Sequence, residues 1–136
     1  MKYFTIAEFV RSETADRSGI DNKLPKELLP NVQALITNVL DPLREAYGKP
    51  VTVTSGYRCK ALNKAVGGSS TSQHMVGQAA DVTAGSRKEN KRLFYLIQEL
   101  GLDFDQEIWE KGNSEGPDWV HVSYQEGNNR KQVLLL

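Results

Sequence analysis

Histidine is scarce in this chain of 136 residues: there are two, His74 and His121. Asp81 follows His74 by seven positions, and Asp118 precedes His121 by three. Two imidazole nitrogens and a carboxylate oxygen make a zinc donor set, and a catalytic zinc keeps its fourth position for water. With His74, Asp81 and His121 as donors, Asp118 is the best candidate for the acid that takes a proton from that water and returns it to a leaving amine. Attack on a carbonyl also builds an oxyanion, whose stabilisation is often the largest catalytic contribution. Arg58 is the cation placed to meet it, or to grip a substrate carboxylate with two donors. Spacing alone is a modest signal, because His-x6-Asp is not self-sufficient in the way a helical HExxH is.

These residues need elements to position them. The N-terminal stretch reads as a helical turn near Ile6–Val10 followed by loop. Leu28, Val32, Leu35, Ile36, Val39, Leu40 and Leu43 recur at three- and four-residue steps, which predicts one helix from about Pro25 to Tyr47, interrupted at Pro30 and Pro42. Gly48 and Pro50 stop it. Val51–Thr54 reads as a short buried strand that delivers Ser55-Gly56-Tyr57-Arg58. A short helix over 58–66 ends at Gly67-Gly68, and a polar loop, 69–73, leads to His74. Asp81 falls in a predicted strand, 79–83. A helix over 86–100 buries Leu93, Phe94, Ile97 and Leu100. Strands are predicted over 104–109, 119–124 and 132–136. Strict alternation puts positions three apart on opposite faces of a strand, so an Asp118 that serves His121 must sit at the strand mouth. This order predicts an α+β fold with a small antiparallel sheet.

Composition narrows the function classes. Lys plus Arg and Asp plus Glu number 17 each, so net charge is zero and a protein built to grip nucleic acid is disfavoured. One cysteine, Cys59, cannot form an internal disulfide, and it reads as a small buried apolar residue. No run approaches the ~20 apolar residues of a membrane span. Glu8 and Arg11 interrupt any apolar signal segment, so the expectation is synthesis in the cytoplasm without a signal peptide and action on its target after release. The length fits one domain, residues 1–136, expected to be a monomer.

Taken as a string, Ser55-Gly56-Tyr57-Arg58, Asn63, Val66-Gly67-Gly68, Ser72-Gln73-His74-Met75-Val76-Gly77-Gln78-Ala79-Ala80-Asp81 and Asp118-Trp119-Val120-His121 resemble the zinc DD-peptidases. That family includes D-alanyl-D-alanine carboxypeptidases, VanX-like dipeptidases and phage L-alanyl-D-glutamate endopeptidases. The resemblance covers roughly residues 25–125. It implies a hedgehog/DD-peptidase-like fold, with helices flanking the sheet, and a peptidase acting on peptidoglycan stem peptides, such as a phage or prophage lysin. It implies Zn2+ on His74, Asp81 and His121, an acid/base at Asp118, an Arg58 that stabilises the polarised carbonyl, and substrate contacts from Ser72 and Gln73.

Two other readings compete. A non-catalytic binding module on the same fold has little need for all five of these residues. A structural zinc is usually closed by four protein ligands, often cysteines, whereas three are well placed here. Of the neighbouring residues, Glu110 reads more simply as an exposed acid than as a cleft residue. Trp109 and Trp119 read as core or cleft-wall aromatics.

Overall fold

A computed structural model describes residues 1–136. The chain is α+β, as the element order predicts. Two short helices, α1 (Ile6–Val10) and α2 (Glu13–Ser18), open it. A 3₁₀ turn at Lys26–Leu28 leads into a rod made of α3 (Leu29–Leu35), a π-turn (Ile36–Leu40) and α4 (Asp41–Tyr47). Then come β1 (Thr52–Ser55), α5 (Lys60–Ala65), a 3₁₀ turn at Gln73–Val76, β2 (Ala79–Thr83), α6 (Arg87–Glu99), β3 (Gln106–Glu110), β4 (Trp119–Ser123) and β5 (Gln132–Leu135). No helix is long and apolar enough to cross a membrane.

The two prolines of the rod are absorbed differently. Pro30 lies in the first turn of α3, where its missing N–H belongs to no helical bond. Pro42 lies farther along, where its ring would strike the carbonyl four residues back. The turn before it is widened instead: the Asp41 N–H donates to Ile36 O, five residues back. The rod therefore continues to Tyr47, and Val32, Leu35, Ile36, Val39, Leu40 and Leu43 are all fully buried.

The five strands lie in the order β1-β2-β4-β3-β5. The first four pair antiparallel, as expected; β5 pairs parallel to β3. A strand that follows β4 reverses direction. The edge beside β4 is already taken by β2, so it occupies the free edge of β3, where reversal means parallel. β1 is an edge strand with only Val53 buried, which explains why its β-branched run does not mark a fully buried strand.

One face of the sheet contributes Val53, Ala80, Val82, Val120 and Val122 to a core shared with the rod and with Leu93, Phe94 and Ile97 of α6. Leu100, expected in that core, lies past the end of α6 and is exposed. The alternate residues, Asp81, His121, Trp119, Ile108 and Glu110, line a cleft on the other face.

Candidate metal centre

Asp81 and His121 are brought together by strand register: they are direct partners in the β2–β4 ladder. Asp81 Oδ1 lies 3.0 Å from His121 Nδ1. His74 arrives from the 3₁₀ turn after the polar loop. The Ser72 hydroxyl caps that turn by accepting from the His74 N–H at 3.2 Å. Gly77 ends it with φ +74, and a Cβ there would lie 3.0 Å from a Val32 methyl of the rod. His74 Nε2 comes to 3.4 Å from the same Asp81 Oδ1. One ligand atom from each of the three side chains falls within 4.8 Å of the others.

The protonation pattern of His74 tests whether this group suits a metal. Its Nδ1 lies 2.6 Å from the Gly56 carbonyl oxygen, and so must carry the proton. Nε2 then faces a carboxylate oxygen, an approach that is favourable only with a cation between the two, a proton or a metal ion. A histidine whose distal N–H is held by a backbone carbonyl is the usual arrangement of a metal ligand. Nitrogen, nitrogen and oxygen donors around a mostly buried point, with one side open to a cleft, fit a divalent metal such as zinc.

Charge around Asp81 is shared between its two oxygens. Oδ1 faces both histidines, while Oδ2 accepts from Arg58 Nη2 at 3.5 Å. Burial alone would raise the pKa of this carboxyl; hydrogen bonds and charge from His121 and His74 outweigh it and hold the group well below the usual carboxylate range. Arg58 is fixed by two more bonds, Nε to Ser55 Oγ at 3.1 Å and Nη1 to Asn63 Oδ1 at 3.2 Å. Burial lowers its pKa, and Asp81 acts in the opposite direction.

The Ser55–Arg58 segment is aimed from behind. A bulge between Val53 and Ser55 turns the chain off β1. Gly56 then packs against α1 so closely that a Cβ would lie 2.7 Å from the Phe9 backbone. Tyr57 N donates to Phe9 O at 2.7 Å. Asn22 is buried, donates to Val10 O and Tyr57 O, and accepts from Cys59 N at 2.8 Å. Sequence reading missed Asn22, since an isolated polar residue in a loop carries no pattern. Cys59 is only partly buried; its Sγ caps α5 by accepting from Leu62 N at 3.5 Å.

The cleft holds about 450 Å³ and is lined by Arg58, Ser72, Gln73, Glu110, Trp119 and Arg130, with the three metal-competent residues on its floor. Gln73 donates to Asp105 Oδ2 at 3.0 Å, and Arg130 grips the same buried Asp105 with two parallel bonds at 2.8 and 2.9 Å. Neither Asp105 nor Arg130 was visible as a pair from sequence, being 25 residues apart. Glu110, which reads most simply as exposed, instead lies partly buried on the cleft wall. Burial, then Asp81, raises its pKa, against the pull of His121, Lys111 and His74.

Asp118 does sit at the mouth of β4, but its carboxylate is elsewhere. It accepts from Arg87 Nε of α6 at 2.8 Å and is not part of the cleft lining. A roomier groove of about 650 Å³ runs between α4 and α6, and it gathers no cluster of three metal donors.

Comparison with known proteins agrees with a zinc site. A stretch of 49 residues, 35% of the chain, is 51% identical to the zinc D-Ala-D-Ala carboxypeptidase of Streptomyces albus G. The stretch spans 19% of that relative's length. The profile of the Peptidase M15 family matches residues 2–123, nearly the whole chain, and the protein therefore belongs to the Peptidase M15 family.

Proposed function

We propose that the chain is a zinc peptidase that hydrolyses peptide bonds in peptidoglycan stem peptides, with His74, Asp81 and His121 as the metal ligands. One observation carries the reading: His74, locked by Gly56, turns Nε2 onto the Asp81 oxygen that His121 also faces. Zinc bound there would supply a Lewis acid and lower the pKa of a coordinated water from 15.7 to about 7.

The remaining work falls to the chain. Arg58 commits three of its five N–H donors to Ser55, Asn63 and Asp81 and keeps the others for an oxyanion forming beside the floor of the cleft. The Ser72 hydroxyl proton and Gln73 Oε1 have no partner within the chain and are free to meet substrate backbone. Every side chain of the site comes from one chain, so a monomer suffices.

The bond is a D-Ala-D-Ala terminus or an internal L-Ala-D-Glu linkage. A carboxypeptidase requires a group for the terminal carboxylate, and Arg130, half exposed on the cleft wall, has a guanidinium nitrogen free of Asp105. This favours the carboxypeptidase type. The test is incubation of zinc-loaded protein with muropeptides and identification of products by mass. Release of D-alanine is expected. Internal cleavage alone would reassign the chain as an endopeptidase, and no product from any stem peptide would overturn the reading. Loss of bound zinc in His74→Ala is the companion measurement.

A further inference from the structure

We propose that Glu110, rather than Asp118, is the carboxylate that moves the proton in this hydrolysis; the assignment rests on the peptidase reading above. Register decides which acid shares a face with the metal ligands. In the β3–β4 ladder Ile108 is opposite His121 and Glu110 is opposite Trp119. Side chains alternate along a strand, so His121, Trp119, Ile108 and Glu110 share one face. Glu110 stands diagonally across from His121, a spacing of roughly 7 Å that long side chains bridge. It lines the same cleft as all three ligands and Arg58.

Asp118 is separated from His121 by an odd number of positions. It sits in the bend just before β4, its N–H donating to Glu110 O at 2.9 Å, and its side chain turns toward α6 rather than into the cleft. Helix α6 fastens it there. Arg87 takes the carboxylate at 2.8 Å, and Asn90 Nδ2 donates to the carbonyls of Pro117 and Asp118 at 3.2 and 3.0 Å. Gly116 lies against the Arg87 backbone with no room for a Cβ. To reach the cleft, Asp118 would have to break the Arg87 ion pair and rebuild a loop packed onto the start of α6.

In the step assigned to it, the Glu110 carboxylate accepts one proton from water as the water oxygen bonds to the scissile carbonyl carbon. The same proton passes to the amine nitrogen as the carbon–nitrogen bond breaks, and the carboxylate is regenerated.

The experiment compares Glu110→Gln and Asp118→Asn in zinc-loaded protein on stem peptides. Glu110→Gln should lose kcat by at least about 100-fold with KM within about threefold, and Glu110→Asp should recover part of it. Asp118→Asn should keep kcat within about fivefold. Both should hold zinc one to one. A second readout needs no turnover: in protein with carbon-13-labelled side-chain carboxyls, zinc added to the metal-free chain should move the resonance missing from Glu110→Gln and leave the one missing from Asp118→Asn in place. Wild-type turnover that survives Glu110→Gln overturns the assignment, as does loss of zinc from that variant or loss of turnover confined to Asp118→Asn. Zinc-bound wild type that cleaves no stem peptide brings down the parent reading as well, which separates the two failures.

Discussion

Glu107 offers a test of the core that is independent of the cleft. It is completely buried on β3, one position from the cleft-facing Ile108. Its Oε1 accepts from Gln98 Nε2 at 3.0 Å, and its Oε2 has no partner. Burial pushes its pKa up from 4.5 to about 8, only partly offset by the Gln98 bond. Between those two values the folded chain holds a proton that the unfolded chain releases. Stability therefore falls as pH rises, by about 1.4 kcal/mol per unit. The loss is absent below the unfolded value, reaches about 3 kcal/mol at pH 7 and levels off at roughly 5 above pH 8. Glu107→Gln has the same shape, keeps the Gln98 bond and never ionises. Its advantage over wild type should be near zero at pH 4.5 and grow along that curve. Urea unfolding of both proteins in chelator, followed by tryptophan fluorescence from pH 5 to 9, measures the difference. A difference that stays flat across this range would show that the carboxyl is ionised inside the fold, and the reasoning would fail.

Gly56→Ala should destabilise the chain by at least about 2 kcal/mol, because the new methyl meets the Phe9 backbone rather than a movable side chain. It should also weaken zinc binding, since Gly56 O orients His74; thermal melts and zinc titration read the two effects. Asn22→Ala strands Val10 O, Tyr57 O and Cys59 N, and should cost on the order of 3 kcal/mol in chemical denaturation. Zinc at a hundred times its dissociation constant should stabilise the metal-free chain by about 2.7 kcal/mol, visible as a raised melting temperature that chelator reverses.

The class of fold and most of the site were readable because their signals are periodic or motif-bound. The rod announced itself through Val32, Leu35, Val39 and Leu43, and the strand 79–83 by its boundaries. Helix α2 did not, because only Ala15 is buried and there is no apolar stripe to see; its signs were local, the Ser12 cap bonding Ala15 N at 3.1 Å and the stop at Gly19. Strand direction for β5 depends on which sheet edge is vacant, a fact of the assembled sheet that no local pattern holds. The two acids near His121 show the same division. The spacing could only require Asp118 at the mouth of β4, where it does lie; that its carboxylate turns to Arg87 while Glu110 shares the His121 face is a fact of the assembled sheet.

The widened turn at Ile36–Leu40 makes the long rod sensitive to residue count rather than residue type. It holds one residue more than an ordinary turn, and each residue in a helix advances the phase by about 100°. Replacing Pro42 with alanine would not let the rod relax, because the surplus residue would still be present and straightening would swing Leu43 and Tyr47 out of the positions they fill. Deleting a single residue within 36–40 would remove that surplus and leave Leu43 and Tyr47 in phase, with the Tyr47 hydroxyl still on Glu89 at 2.5 Å, but it would bring the Pro42 ring onto the carbonyl four residues back. A single-residue gap in this segment should therefore be accepted only together with replacement of Pro42, whereas a gap elsewhere in the rod would swing one of its ends out of phase.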